Sequence, residues 1–312
     1  MQKQVSMLTV SVIIPVYNTA RYLQDAIESI LCQDINDIEI LCVNDGSTDN
    51  SLEILQGFAN KDKRILVFTQ PNQGQSIARN TALKYATGKY LYFMDSDDIL
   101  LPTCFSTCIR YMEENKYDFV FFDGDIFCEE GAPNICWDYK RTQHFNEQTN
   151  YVGTSLMEEM LTKFAFRAVP WLLFIKKEYL EKTKLSFYPG IIHEDELFTT
   201  LATLQSERIG CIKQSFVKHR VRANSTMSKA FSRRNLDCYL KVIEELQIFA
   251  SKHNEQIKEI INHYCKYTLD KVFYTAHILP FTQKIKYFIT LIRKKYTKFV
   301  SIKTIGVFLI KK

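Results

Sequence analysis

Lys89-Tyr90-Leu91-Tyr92-Phe93-Met94-Asp95-Ser96-Asp97-Asp98 is an apolar run that stops abruptly in three carboxylates within four positions. Tyr90 to Met94 has the length and content of a buried strand. Carboxylates crowded at a strand end repel one another unless a cation offsets them. At the carboxyl end of a strand in an α/β sheet, Asp-x-Asp suits a divalent-metal clamp for a phosphate-bearing ligand. It also suits a solvated turn, so the rest of the chain has to decide.

Upstream, strand and helix patterns alternate. Val10 to Pro15 is a β-branched strand, followed by a loop, Val16-Tyr17-Asn18-Thr19, with Thr19 as the expected helix cap. Leu23, Ala26, Ile27, Ile30 and Leu31 form a helix face. Glu39 to Val43 is a second strand, ending in Asn44-Asp45-Gly46-Ser47-Thr48-Asp49. A helix face follows through Leu52, Leu55 and Phe58, then a third strand from Arg64 to Thr69. After the loop Gln70-Pro71-Asn72-Gln73-Gly74, a helix from Gln75 to about Ala86 stops at Gly88. This β-α-β-α-β-α-β order predicts a mainly parallel sheet with helices on both faces. Ligands of such sheets sit beyond the carboxyl ends of the strands. The three polar strand ends are therefore expected in one crevice. No G-x-G-x-x-G follows the first strand and no G-x-x-x-x-G-K-[ST] is present, which excludes dinucleotide-binding and P-loop chemistry. Phosphates would have to be met by a metal held on the Asp cluster.

The later half adds four readings. A helix is expected over 99–118 and a buried strand at Phe119-Val120-Phe121-Phe122, with 123–151 read as a mobile loop over a binding site. Glu194-Asp195-Glu196 precedes a Leu-Phe helix start, as helix N-terminal acids do. Val217-Lys218-His219-Arg220-Val221-Arg222 alternates like a strand, with Arg220 and Arg222 on one face, and runs on into a hydroxyl-rich segment to Ser228. Residues 232–279 read as helices.

Of 40 Lys/Arg and 35 Asp/Glu, ten basic and no acidic residues lie from Lys271 onward. The body is mildly acidic and the tail basic. Ile285, Phe288, Ile289, Ile292, Tyr296 and Phe299 lie along one helical stripe, with Lys294, Lys295 and Lys298 mainly opposite. This predicts contact of 281–312 with an anionic membrane surface, or packing of that helix on the body. Nucleic-acid binding is not expected, since no recognition motif accompanies the charge. The nine cysteines are scattered without a C-x-x-C pair; Cys104 and Cys108 share a helix face but have no second ligand pair. They read as buried reduced thiols of a cytoplasmic protein, not zinc ligands. The apolar N-terminus lacks a signal-peptide cleavage site, and no uncharged run approaches the roughly 18 residues of a membrane span.

Taken together, Val12-Ile13-Ile14-Pro15-Val16-Tyr17-Asn18, Asn44-Asp45-Gly46-Ser47-Thr48-Asp49, Asn72-Gln73-Gly74 before Ala78-Arg79-Asn80, and Asp95-Ser96-Asp97-Asp98 resemble glycosyltransferase family 2. The resemblance is close over roughly the first 105 residues. It implies a GT-A fold, a nucleotide-diphosphate sugar donor, Mn2+ or Mg2+, and transfer with inversion. The expected division is a transferase domain over 1–228, with a nucleotide-sugar half (1–105) and an acceptor half (106–228), then a helical extension over 229–312. By the resemblance, Pro15, Tyr17, Asn18, Asp45, Arg79, Asp95 and Ser96 meet the donor. Tyr17 offers a flat face to the base, a stacking worth about 1–3 kcal/mol. A UDP-sugar is the expected donor, although Asn44 stands where the family usually has a second Asp, so the base stays open. Asp97 is the expected direct metal ligand, with Asp95 on ribose or on the metal. Asp195 is the expected general base with Glu194 as alternate, because inversion needs a carboxylate opposite the leaving group. Trp171 is the candidate acceptor platform, with a packed core tryptophan as the competing reading. His219, Arg220 and Arg222 form a candidate flap over the diphosphate. The acceptor class is a glycan or a lipid-linked glycan in surface-polysaccharide synthesis, made at the cytoplasmic face of the inner membrane. A sugar-nucleotidyltransferase would need a glycine-rich phosphate loop that is missing. A non-catalytic nucleotide or carbohydrate binder would need neither Asp97 nor Asp195.

Overall fold

The computed structural model describes residues 8–132, 138–222 and 230–311. Ala223 to Ser228, the hydroxyl-rich part of the basic segment, and Cys136 lie outside the described residues. The first four strands are β1 (Val10–Val16), β2 (Ile38–Asp45), β3 (Ile65–Gln70) and β4 (Tyr90–Phe93). Between them run α1 (Ala20–Leu31), α2 (Ser51–Lys61) and α3 (Gln75–Leu83). Then come β5 (Ile99–Leu100), α4 (Cys104–Asn115), β6 (Phe119–Cys128), α5 (Gly153–Thr162), β7 (Leu173–Lys176), α6 (Lys177–Thr183), α7 (Glu194–Leu204) and β8 (Ile209–Val221). The chain closes with α8 (Arg233–Ser251), α9 (Glu255–Thr275), α10 (Phe281–Arg293) and α11 (Ile302–Ile310).

One sheet of order β3-β2-β1-β4-β7-β6-β8-β5 organises the molecule. Strands β1 to β4 pair in parallel, as the alternating pattern predicts. Past β4 the sheet is mixed: β7 is antiparallel to β4 and β6, and β5 is antiparallel to β8, while β6 and β8 are parallel. The strand order reverses at β1, which opens a crevice at the carboxyl ends of β1 and β4. Alternation along the strands feeds two cores. Val12, Ile14, Ile40, Tyr90 and Tyr92 face α1 and α4. Ile13, Leu41, Leu91 and Phe93 face the other layer, whose core continues through α5 and α7 into Leu246, Tyr264, Phe273 and Phe308 of the C-terminal helices. The apolar core thus runs across the expected boundary at 228.

Three expectations change. The helix expected from residue 99 begins at Cys104, because Ile99 and Leu100 pair with Lys218 and Val217. The expected loop from Asp123 is strand as far as Cys128, paired with β8 through register shifts on either side of Asp123. At Arg141 and Thr142 the chain is pinned. Asp123 accepts from the Arg141 and Thr142 amides at 2.8 and 3.0 Å and from the Thr142 hydroxyl, while the buried Arg141 guanidinium lies over the Phe121 ring. The tail is two helices, not one stripe. Lys295 takes φ 57° and ends α10, and Tyr296 and Phe299 turn inward. Tyr287, Leu291 and Lys284 form the buried face of α10, while Ile285, Ile289 and Ile292 stay outside. Among the described residues, no helix is long and apolar enough to cross a membrane.

Candidate active site

The loops leaving β1, β2 and β4 are stitched into one rim. Asn18, in the left-handed region at φ 51°, accepts from the Thr48 amide at 2.7 Å, and its own amide donates to the Ser47 hydroxyl. Thr19 stands at the head of α1, as expected for a cap. Its hydroxyl, however, donates to Ser96 Oγ at 2.9 Å, and Asp49 accepts from the first helical amide instead. Ser96 is thereby buried and faces the protein. Pro15 sits within β1 opposite Val43. Tyr17 is 48% exposed and keeps an open ring face. Asp45 is buried and accepts three hydrogen bonds, from the Gln73 and Gly74 amides at 2.9 and 2.8 Å and from the Gln70 side chain at 2.7 Å. A carboxylate has about four acceptor positions, so Asp45 is chiefly the clamp of the turn that starts α3.

The carboxylates beyond β4 have distinct surroundings. Asp98 is fully buried and meets His219 Nδ1 at 2.9 Å and the Arg220 amide at 2.9 Å. Burial pushes Asp98 up to about 6 even beside His219. Burial opposes charge on His219, but the Asp98 carboxylate outweighs it and raises the imidazole to about 9. Behind that ring lies Trp171, stacked at 5.2 Å and 11°, with Tyr139 edge-on. Trp171 is 3% exposed. It is a wall of the core under His219 and has no free face for an acceptor sugar, which corrects the platform reading in favour of the packed tryptophan. Arg220 is tied on three sides, to the Asp97 carbonyl at 2.9 Å, Glu129 at 3.1 Å and Asp25 at 3.0 Å. Arg222 donates to Asp97 Oδ2 at 2.8 Å. The three residues read as a flap therefore lie closed on Asp97 and Asp98.

The second acidic cluster opens α7. His193 takes φ 68° at its head, with its ring stacked on Tyr239 at 4.1 Å. Arg79 joins the two clusters. One guanidinium nitrogen meets Glu194 Oε1 at 2.8 Å and another meets Asp95 Oδ1 at 2.9 Å. Arg79 is buried over the Phe187 ring. Burial disfavours its charge, and Asp95, Glu194 and Asp195 overcome that and keep it protonated. Both ends of the guanidinium are taken by carboxylates, so Arg79 acts as a strut between them. Asp195 is partly buried, with its Oδ1 accepting from the Glu196 amide at 3.0 Å. Burial, reinforced by Glu194 and Glu196, pushes its carboxyl well above the ordinary range. That direction strengthens a base. Glu196 points away and accepts from the Tyr264 hydroxyl at 2.6 Å.

The donor set suits a hard divalent cation. Arg79 and Arg222 engage one oxygen each of Asp95 and Asp97. Among the described residues no group of three ligating side chains is gathered. Two carboxylates at a strand end fit Mg2+ or Mn2+ of the kind that draws its remaining ligands from water and a phosphate-bearing partner.

Several contributors gave little sequence signal. Asn80 clamps the backbone of Phe187 with two hydrogen bonds, at 2.7 and 2.9 Å, and so holds α3 against the segment leading to α7. Its place beside Arg79 was the only hint. Tyr22, Asp25 and Glu129 hold Arg220 from elements far apart in the chain, and nothing in the sequence marks them.

Comparisons with known proteins bear on the family and the fold. Residues 11–180, more than half the chain, match Glycosyl transferase family 2. The uncharacterized glycosyltransferase YibD of Escherichia coli (strain K12) is 28% identical over 253 residues, covering 79% of this chain and 72% of that protein. The minor teichoic acid biosynthesis protein GgaB of Bacillus subtilis (strain 168) is 31% identical over 230 residues, covering 72% of this chain but 24% of that protein. Among solved structures, S. aureus TarS 1–349 aligns with a TM-score of 0.67 at 19% identity, covering 83% of this chain and 71% of that one. The mannosyltransferase PcManGT from Pyrobaculum calidifontis, solved with GDP-Man and Mn2+, aligns at 0.59 and 17% identity, covering 98% and 86%. These likenesses give the sheet and its helical layers as a GT-A-type fold. With the four motifs gathered on one rim and the family match spanning them, the chain belongs to glycosyl transferase family 2.

Proposed function

We propose that this glycosyltransferase moves a sugar, with inversion, from a nucleoside-diphosphate donor to a hydroxyl of a glycan or lipid-linked glycan in cell-surface polysaccharide synthesis. The observation that carries the reading is the Arg79 strut, which holds Asp95 and Glu194 on one guanidinium and so brings two acidic clusters, distant in sequence, to one crevice. Inverting displacement asks for such a pair, one cluster for the leaving diphosphate and one for the incoming hydroxyl. Tyr17 stacks on the base and Asp95 faces the ribose or the ion. Asp195 takes the acceptor hydroxyl's proton as that oxygen bonds the anomeric carbon and the bond to the diphosphate breaks. A Mn2+ or Mg2+ held by Asp97 and Asp95 would neutralise charge on the departing diphosphate. In this reading Arg222, which pairs with Asp97, is the flap residue that turns to the diphosphate, while His219 on Asp98 and Arg220 on the Asp97 carbonyl hold the flap behind it. A UDP-sugar is the first donor to try, since TarS 1–349 has been solved with UDP-GlcNAc, and GDP-mannose the second. The GgaB relationship supports a surface polymer as acceptor, and a lipid-linked acceptor places the work at the cytoplasmic face of a membrane.

A panel of nucleotide sugars, screened by thermal shift with and without Mn2+, identifies the donor. Asp195→Asn should keep the donor-induced shift and lose about 10²-fold or more in transfer. Asp97→Ala should lose the metal-dependent part of that shift. Normal turnover by the Asn variant, or unchanged metal-dependent binding by the Ala variant, removes the respective role.

A further inference from the structure

The outer faces of the last two helices are apolar although the body has already claimed their inner faces. On α10, Tyr287 and Leu291 pack inward, with Tyr287 bonded to Asp237 and Lys294 to Glu244. At 3.6 residues per turn, Phe281, Ile285, Ile289 and Ile292 fall within roughly 80° of arc on the opposite side. All four are exposed, Phe281 to 64%. On α11, which packs beside α10, Ile302 and Ile310 are two turns apart on one side and are 90% and 81% exposed. Helices that already bury one stripe do not need a second for folding. Contiguous outward apolar rows of this kind mark a surface that meets something.

Charge decides what it meets. From Phe281 onward the chain has nine Lys/Arg and no Asp or Glu. Lys284 is buried and donates to the Lys311 carbonyl at the end of α11, and Lys294 is paired with Glu244 of the body, while Lys286 and Arg293 border the outer stripe of α10 and Lys303 that of α11, all exposed. Protein interfaces are depleted in lysine. An isoleucine stripe edged by lysines is instead the pattern of a helix lying in a lipid headgroup region, with its apolar side among the acyl chains and its cations on anionic headgroups. We propose that the outer faces of α10 and α11, along Phe281, Ile285, Ile289, Ile292, Ile302 and Ile310, dock this enzyme on an anionic lipid bilayer. The stripe differs from the one legible in the sequence, since Tyr296 and Phe299 belong to the core. The inference names the membrane partner of the proposed reaction, yet its test needs no transfer.

The test is co-sedimentation of the full chain with phosphatidylcholine vesicles, with and without about 30 mol% phosphatidylglycerol. Binding is expected only to the anionic vesicles and should weaken in high salt. Ile285→Asp/Ile289→Asp alters two exposed positions, so its melting temperature should match the parent while binding falls about tenfold or more. Lys286→Gln/Arg293→Gln/Lys303→Gln gives an independent reading through charge alone and should also weaken binding. Three results overturn the proposal: a parent protein that ignores anionic vesicles, a folded double-Asp variant that binds as well as the parent, or a stripe-dependent dimer in light scattering without vesicle binding. Stripe-dependent vesicle binding by a protein that transfers no sugar would retire the proposed reaction and leave this surface standing.

Discussion

His193 shows how a single side chain reports on the packing at the head of α7. Its backbone is left-handed, its ring stacks on Tyr239, and Asn235 approaches its Nε2 at 3.2 Å. Burial lowers it to about 4, against about 6.5 in an unfolded chain. Between those values the unfolded state binds the extra proton, so the contribution of a neutral His193 is present above pH 6.5 and lost as pH falls through 4. His193→Asn keeps a residue that tolerates positive φ and removes the titration. Going from pH 7 to 4.5, the parent should lose about 2–3 kcal/mol more stability than the variant. Urea unfolding at the two pH values measures this, and parallel losses would mean the ring is solvated. At this scale the sequence was informative about local surroundings: Tyr17 stays open past the end of β1, and Asp195 stands in an acidic cluster whose carboxyls burial raises. It was uninformative where a partner far along the chain decides. Trp171 looks the same in sequence whether it lies in a pocket or beneath His219. Nothing local says that the Gln73 and Gly74 amides occupy Asp45, or that Arg79 meets a carboxylate 115 positions away.

Between elements, the placement of Asp195, the proposed base, depends on how α7 is held. Its carboxyl end meets the start of α5, where the Gly153 amide donates to the Ser206 carbonyl at 2.8 Å. A Cβ on Gly153 would stand 1.7 Å from the Thr203 carbonyl oxygen, which is backbone and cannot swing aside. Gly153→Ala should therefore push α5 off α7 and cost about 3 kcal/mol or more, at the upper end of overpacking effects. Chemical denaturation checks it, and a variant as stable as the parent would show that the two helices do not approach so closely. The parallel half of the sheet was legible because each of its strands is an apolar run set off by polar turn residues. The other half was not. Two-residue β5 has no periodicity to read, and β6 carries Asp123 and Asp125, which look like loop. Asp123 is in fact bent inward at a register shift to bind the Arg141–Thr142 backbone.

For the molecule as a whole, the question is whether the C-terminal helices are an appendage or part of the fold. Composition suggests an appendage, since charge changes sign near Lys271. Packing says otherwise. Tyr287, Leu291, Phe299 and Phe308 are nearly or fully buried and belong to the same apolar core as Ile13, Phe93 and Phe198. Burying a large apolar side chain is worth about 1.5–3 kcal/mol, so these four alone represent roughly 6–12 kcal/mol, an upper range because unfolded chains already bury some surface. Whole-domain stabilities are about 5–15 kcal/mol. Removing 281–312 would strip that contribution and open the faces of α8 and α9 to water. The truncated chain should be insoluble, or melt far below the parent and bind a hydrophobic dye, and its loss of transfer would say nothing about membranes. The Ile285→Asp/Ile289→Asp variant changes only the outer face and should melt like the parent. A truncated protein that stays soluble with an unchanged melting temperature would show that the tail lies on the surface and that the shared core is not continuous.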